Sequence, residues 1–187
     1  MPGGFRYEGY AIVSADGMIA DADAHMPPAL QNPADARFFS EALDRAAVLV
    51  HGRHSHEGHA NSPRRRRVVV TRHASAIAAH PEWPHAVAWN PSGAPFSAAC
   101  EALGIAGGTA AILGGPEVFA LFLGIGYDRF QLSRAAHVRL PGGLPIFGRG
   151  RLPVEEALAT AGLAPGQPRW LDREAGVSVT TWRKTAD

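Results

Sequence analysis

The chain has 187 residues, 46% of them hydrophobic and 19% charged, with a net charge of +1. This is the composition of a folded chain with an adequate core, and it excludes a disordered one. The balance gives no general attraction to nucleic acid or an anionic bilayer, and no apolar run reaches the ~18 residues of a membrane span.

With a single cysteine, Cys100, no intramolecular disulfide can form, and no leader pattern opens the chain, so the default compartment is the cytoplasm. The length fits one domain over residues 1–187.

In chain order, residues 10–14 are short and apolar and run into an Asp16-Gly17 turn, which predicts a strand. Asn32 caps a helix that begins at Pro33 and carries Phe38, Phe39, Ala42 and Leu43 on one face. Continuous apolar runs predict buried strands at residues 46–51, 68–71 and 110–113, with a short helix at 96–103. Gly114-Gly115 stops the third strand, a helix follows over 116–123, and 129–138 carries a further strand.

Residues 141–153 are dense in Pro and Gly and read as a long surface connection, while 73–95 show no clear period. Trp170 and residues 177–182 alternate like the arms of a terminal hairpin. Strands alternating with helices, the strands apolar throughout, predict an α/β fold: a mostly parallel sheet covered on both faces, with an antiparallel C-terminal edge.

Two strand-to-helix junctions have the chemistry to hold phosphate: His51-Gly52-Arg53-His54-Ser55, and Gly114-Gly115-Pro116-Glu117. A helix start offers unpaired N–H groups and the positive end of the dipole, and glycine lets an anion come close. Neither matches G-x-G-x-x-G, so a standard dinucleotide fingerprint is excluded. Tight βα turns would use the same glycines. Arg53 and Arg72 stand just past strand ends, where their forks suit a phosphorylated cofactor, although solvated surface arginine explains either one alone.

Asp35 shares a helical face with Phe38 and Phe39. A carboxylate facing a partly apolar cleft has a raised pKa and can relay a proton; a first-turn acid can equally serve the helix dipole alone. His51, His54, His56 and His59 have no cysteine nearby, and Glu57 is not in an H-E-x-x-H arrangement, so no metal site is expected. The arginines at 64–67 are few, lack interleaved aromatics and precede a strand; they read as a solvated bend, not a nucleic-acid patch.

Taken together and in order, these segments resemble the dihydrofolate reductase superfamily, including the similar reductase domain of riboflavin biosynthesis. Ser14-Ala15-Asp16-Gly17-Met18-Ile19-Ala20 resembles the first strand and the loop over the active site, and Met26-Pro27 the end of that loop. Pro33-Ala34-Asp35 with Phe38-Phe39 resembles the helix bearing the active-site acid. Gly52-Arg53-His54-Ser55 with Glu57, and Val69-Val70-Thr71-Arg72, resemble the cofactor-binding strand ends. Gly114-Gly115 with Val118-Phe119 resembles the glycine pair under the pyrophosphate, which in the family carries a cis peptide. Gly142-Gly143 and Pro145-Ile146-Phe147 look like the riboflavin-type branch, and Pro28 stands where folate reductases place a tryptophan.

The resemblance implies a three-layer dihydrofolate reductase-like fold and an NADPH-dependent reductase of the CH-NH or CH-OH donor type. The substrate would be a pterin- or pyrimidine-like ring. It implies a catalytic Asp35, with Phe39 and Arg65 also at the substrate. NADPH would be held by Ala11, Ile19, Gly52, Arg53, His54, Ser55, Thr71, Arg72, Gly114, Gly115, Glu117 and Val118. It allows a homodimer and calls for no nucleic-acid or membrane partner. The alternatives are the riboflavin-pathway reductase of 5-amino-6-(5-phosphoribosylamino)uracil and a nucleotide-binding protein without turnover.

Overall fold

A computed structural model describes residues 4–54 and 58–185. The apolar segments form β1 (Phe5–Ser14), β2 (Met18–Ala20), α1 (Pro33–Arg45), β3 (Val48–Gly52) and β4 (Arg67–Val70). They continue with β5 (Ile77–Ala79), β6 (Ala86–Trp89), α2 (Phe96–Glu101), β7 (Gly108–Gly114) and α3 (Pro116–Ile125). The C-terminal part holds β8 (Arg129–Ala135), β9 (Leu144–Pro145), α4 (Val154–Thr160), β10 (Leu163–Pro165), β11 (Arg169–Asp172) and β12 (Val177–Lys184).

The main sheet has 10 strands in the order β10-β12-β8-β1-β7-β3-β4-β6-β5, with β11 also pairing β12. From β8 to β6 every pairing is parallel. At the C-terminal side β12 runs antiparallel to β8, and β11 and β12 form the hairpin that the alternation predicts. At the far edge β5 also runs antiparallel, to β6.

The sheet is the middle of three layers. Val48, Val50, Ala110 and Ile112 point to one face, where they pack with Phe119 and Phe122 of α3, Cys100 of α2 and Leu158 of α4. Leu49 and Ala111, the alternate residues, meet Ala42 and Leu43 of α1 on the other face. This two-sided burial explains the unbroken apolar runs of the central strands. Among the described residues, no helix is long and apolar enough to cross a membrane.

Two sequence readings are corrected. The arginines at 64–67 do not form a solvated bend: Arg64 and Arg66 are exposed, whereas Arg65 and Arg67 are buried at 8% and 4%. Arg64 ends a 3-10 turn over Ser62–Arg64 and the chain is extended from Arg65, so alternate side chains then turn inward. Arg67 donates to the Ser62 carbonyl at 2.9 Å and lies 5.5 Å from the Trp83 ring.

Residues 141–153 are not wholly surface: β9 pairs with β2, and Ile146 and Phe147 are buried. The stretch 73–95, which has no readable period, supplies β5 and β6. Both strands are only 3–4 residues long and Ala-rich, too short for a pattern to show.

Candidate active site between the acid-bearing helix and the strand ends

The first turn of α1 fixes the carboxylate. Asn32 Oδ1 accepts from the Ala34 and Asp35 N–H groups at 2.9 and 3.1 Å, and Pro33 supplies a helical φ at the first position. Asn32 Nδ2 donates to Asp172 Oδ2 at 3.0 Å, tying the cap to β11. Asp35 thus faces the sheet, where the Ser133 hydroxyl of β8 lies close to its carboxyl. Burial pushes the Asp35 carboxyl above its ordinary range, and the nearby Ser133 hydroxyl partly offsets this.

Asp35 lines a cleft of about 880 Å³. Phe38 and Phe39 extend its apolar wall; Phe39 sits 6.1 Å from the Tyr10 ring and 5.7 Å from the His59 ring. The Tyr10 hydroxyl donates to Glu8 Oε2 at 2.8 Å, so its proton is held by a buried neighbour on the same strand. Gln131 and Ser133, two apart on β8, complete the polar floor.

The segment from β1 to β2 forms the roof and brings Ile19 and Ala20 over the cleft. Asp16 anchors it, accepting from the Ser14 hydroxyl at 2.5 Å and from the Leu140 N–H at 3.0 Å. Arg134 donates to the Ser14 and Ala15 carbonyls, both at 3.1 Å, and pairs with Glu155. Gly143 belongs to the same knot: a Cβ there would stand 2.5 Å from the Ala20 carbonyl oxygen, so only glycine fits under the roof.

At the other end the two glycine junctions lie side by side. His51 of β3 pairs with Gly114 of β7, and a Cβ on Gly52 would be 3.7 Å from the Gly115 nitrogen. The Gly114–Gly115 peptide is cis, and Gly114 has φ of +95° with the Phe119 ring against its α-carbon. Gly115 is the N-cap of α3 and lines the cleft together with Pro116. Arg53, just past β3, donates from Nε to His54 at 2.9 Å and lies 2.8 Å from His73, which follows β4.

Of the residues singled out from sequence, the cleft brings together Ala11, Ile19, Asp35, Phe39, His54 and Gly115. Gly52 and Gly114 adjoin it through the β3–β7 register. Arg53, Thr71, Arg72 and Glu117 stand outside the cleft lining; Thr71 Oγ1 accepts from the His73 N–H at 3.1 Å, closing its own turn. Val118 is turned into the core, and its N–H donates to the Gly115 carbonyl at 2.9 Å.

Arg65 is not at the cleft. Its guanidinium donates to Asp44 Oδ1 at 2.6 Å and to the Ser40 hydroxyl at 3.2 Å, bracing the outer side of α1. Ser55 lies outside the described residues. Sequence reasoning missed Gln131 and Ser133; the signal available was two polar residues two apart on a strand expected to be covered on both faces. Among the described residues, no three His, Cys, Asp or Glu side chains form a metal-binding group.

No protein-family model matches the sequence, and no curated protein does. Solved structures do. A pyrimidine reductase-like protein from Corynebacterium diphtheriae superposes with a TM-score of 0.65 at 15% identity, over 97% of this chain and 92% of that one. The Thermotoga maritima diaminohydroxyphosphoribosylaminopyrimidine deaminase/5-amino-6-(5-phosphoribosylamino)uracil reductase gives 0.68 at 14% identity, over 98% of this chain and 57% of that one. Dihydrofolate reductase from Enterococcus faecalis, complexed with NADP(H), gives 0.61 at 15% identity, over 97% of both chains. At these identities the likeness establishes that the chain has the dihydrofolate reductase-like fold.

Proposed function

We propose that this chain is a reductase that binds NADPH and delivers a hydride to a pterin- or pyrimidine-like ring held against Asp35. One observation carries the reading. A single cleft has a half-buried carboxylate at one end and, at the other, a glycine capping an α-helix of 10 residues.

The residues present fit such a cofactor. Gly52 and Gly115 leave backbone exposed at adjoining strand ends, and the start of α3 supplies the dipole that favours a pyrophosphate. Arg53, His73 and Arg72 gather donors at the outer end, where a 2′-phosphate would be met. Ala11 and Ile19 offer apolar surface to the nicotinamide between these ends. The hydride chemistry is the cofactor's; the chain supplies orientation and a proton.

Asp35 has two tasks in this reading. Its carboxyl oxygens can accept from the amidine-like edge of a ring. With its pKa raised by burial, it can also hold a proton closer to neutral pH than an exposed carboxyl can. Phe38, Phe39 and the roof residue Ile19 exclude water from the ring.

A second reading is the riboflavin-type branch, with a ribosylated aminopyrimidine as substrate. What favours it is Gly143, whose close contact with the Ala20 carbonyl makes the Gly142-Gly143 segment part of the roof. NADPH consumption in the presence of pterins and of ribosylated aminopyrimidines tests both readings. Consumption with a ring of either class supports reduction and selects between them. A folded protein that binds NADPH and turns over none of them leaves a nucleotide-binding protein without turnover.

A further inference from the structure

Gln131 lines the cleft on the strand that also carries Ser133, and Thr181 lies directly opposite it in the β8–β12 register. The Thr181 hydroxyl donates to Gln131 Oε1 at 2.8 Å. A primary amide has one acceptor oxygen and one donor nitrogen, so fixing the oxygen fixes the nitrogen too. Among the described residues nothing accepts from Gln131 Nε2. The cleft therefore offers an oriented amide donor on the strand position two before Ser133, whose hydroxyl lies close to the Asp35 carboxyl. Two positions along a strand are about 7 Å apart, on one face.

We infer that Gln131, oriented by Thr181, is a specificity residue that donates a hydrogen bond to a ring carbonyl of the substrate, so that the cleft selects a lactam-type heterocycle over its amino analogue. The inference rests on the reading of the cleft as a heterocycle site. Asp35 accepts from the ring's N–H groups while Gln131 donates to its C=O, and an N–H beside a C=O is what a lactam presents. An amino group in place of that carbonyl would set donor against donor, leaving both without an acceptor. Thr181 does not reach the ring in this arrangement; it is a positioning residue.

The probes are 2-amino-4-oxopteridine and 2,4-diaminopteridine, which differ in the group at position 4 that Gln131 would meet and in the hydrogen that the lactam carries on the adjacent N3. Their dissociation constants are read by fluorescence titration at one fixed pH, on wild-type protein and on Gln131→Leu, Gln131→Glu, Thr181→Val and Asp35→Asn. In Gln131→Leu, affinity for the oxo ring relative to the amino ring falls about tenfold. Gln131→Glu moves the ratio further toward the amino ring, because a carboxylate accepts where the amide donated. Thr181→Val moves it the same way by less. An unchanged ratio in folded Gln131→Leu and Gln131→Glu overturns the assignment of Gln131, even while Asp35→Asn weakens both rings. If neither ring binds, or Asp35→Asn alters neither affinity, the heterocycle reading itself falls, and this inference with it.

Discussion

The hydroxyl of Ser133 in β8 lies close to the carboxyl of Asp35, in the first turn of α1. Burial raises the Asp35 pKa, and this hydroxyl acts against it. Ser133→Ala removes the counterweight and leaves only burial. The limb of the pH–turnover profile that belongs to Asp35 then moves to higher pH, with the fold intact. A folded Ser133→Ala protein with an unmoved profile would show that this hydroxyl does not tune the acid.

Asp35→Asn separates a catalytic acid from one that merely complements its helix. Turnover falls by about 10²–10⁴, the usual size of a general acid–base contribution, with NADPH binding near normal. Stability changes in the opposite sense. The folded pKa is raised, so folding favours the protonated group; the stability this confers is complete below the unfolded value of 3.8 and is lost as pH rises through the folded pKa. Asparagine is neutral throughout and escapes that loss. Asp35→Asn therefore melts above wild type at neutral pH, each kcal/mol amounting to about 2–4 °C, and the gap closes in acid. Calorimetry across pH reads the difference; a variant that melts lower at neutral pH contradicts the buried-acid account.

The legible parts of this site were those that local chemistry determines. Asn32 and Pro33 announce a helix start, and the start alone places Asp35 on the apolar face. The glycines at 52, 114 and 115 mark strand ends whatever surrounds them. Gln131 and Ser133 were not legible, because which face of β8 looks into a cleft depends on α1, encoded far upstream. Arg65 was misread for the same reason. Its burial is set by Asp44 and Ser40 on α1, which no window around residue 65 contains. The strand β6 exists because β4 offers an edge to pair with, and β5 because β6 then offers the next edge, not because their alanines demand it.

Arg65→Ala tests where that arginine acts. Its guanidinium is bound by Asp44 and Ser40, so its removal loosens the link between α1 and the start of β4. The melting temperature falls by several degrees, as for other losses of a buried polar network, while KM for the ring substrate stays within about twofold. Arg65 holds the Asp44 carboxyl below its ordinary range, so the stability it confers is present above 3.8 and fades as pH drops through the lowered value. A large rise in KM without a fall in melting temperature would return Arg65 to the substrate.

Gly115→Val tests the glycine-led junction. Gly115 has φ −66° and ψ −163°, a conformation open to any residue, so valine brings bulk without backbone strain. The added methyls occupy the cleft at the N-cap of α3, where the pyrophosphate would approach. NADPH binding, measured by nicotinamide fluorescence, is abolished in a protein with unaltered circular dichroism. Normal affinity in the folded variant would remove this junction from the site.

The last prediction concerns cofactor choice. Gly52 and Val70 are register partners at the ends of β3 and β4, so the residues that follow them, Arg53 and the Thr71–His73 turn, emerge together. Arg53 lies 2.8 Å from His73, and Arg72 is exposed on the same turn. This is a concentration of donors where strand carboxyl ends present ligands, and a 2′-phosphate would take charge-assisted bonds from it. Such a bond contributes about 1.5–3 kcal/mol, equivalent to roughly 10–100-fold in affinity. Alanine at whichever of Arg53 and Arg72 makes the contact weakens NADPH by that factor and leaves NADH within about twofold, since NADH has no 2′-phosphate to lose. Added salt acts in the same direction, reducing wild-type affinity for NADPH more than for NADH, because an exposed ion pair is screened. Dissociation constants for both cofactors, at low and high salt, decide the matter. If both single variants keep the wild-type preference, the 2′-phosphate is not bound at these strand ends.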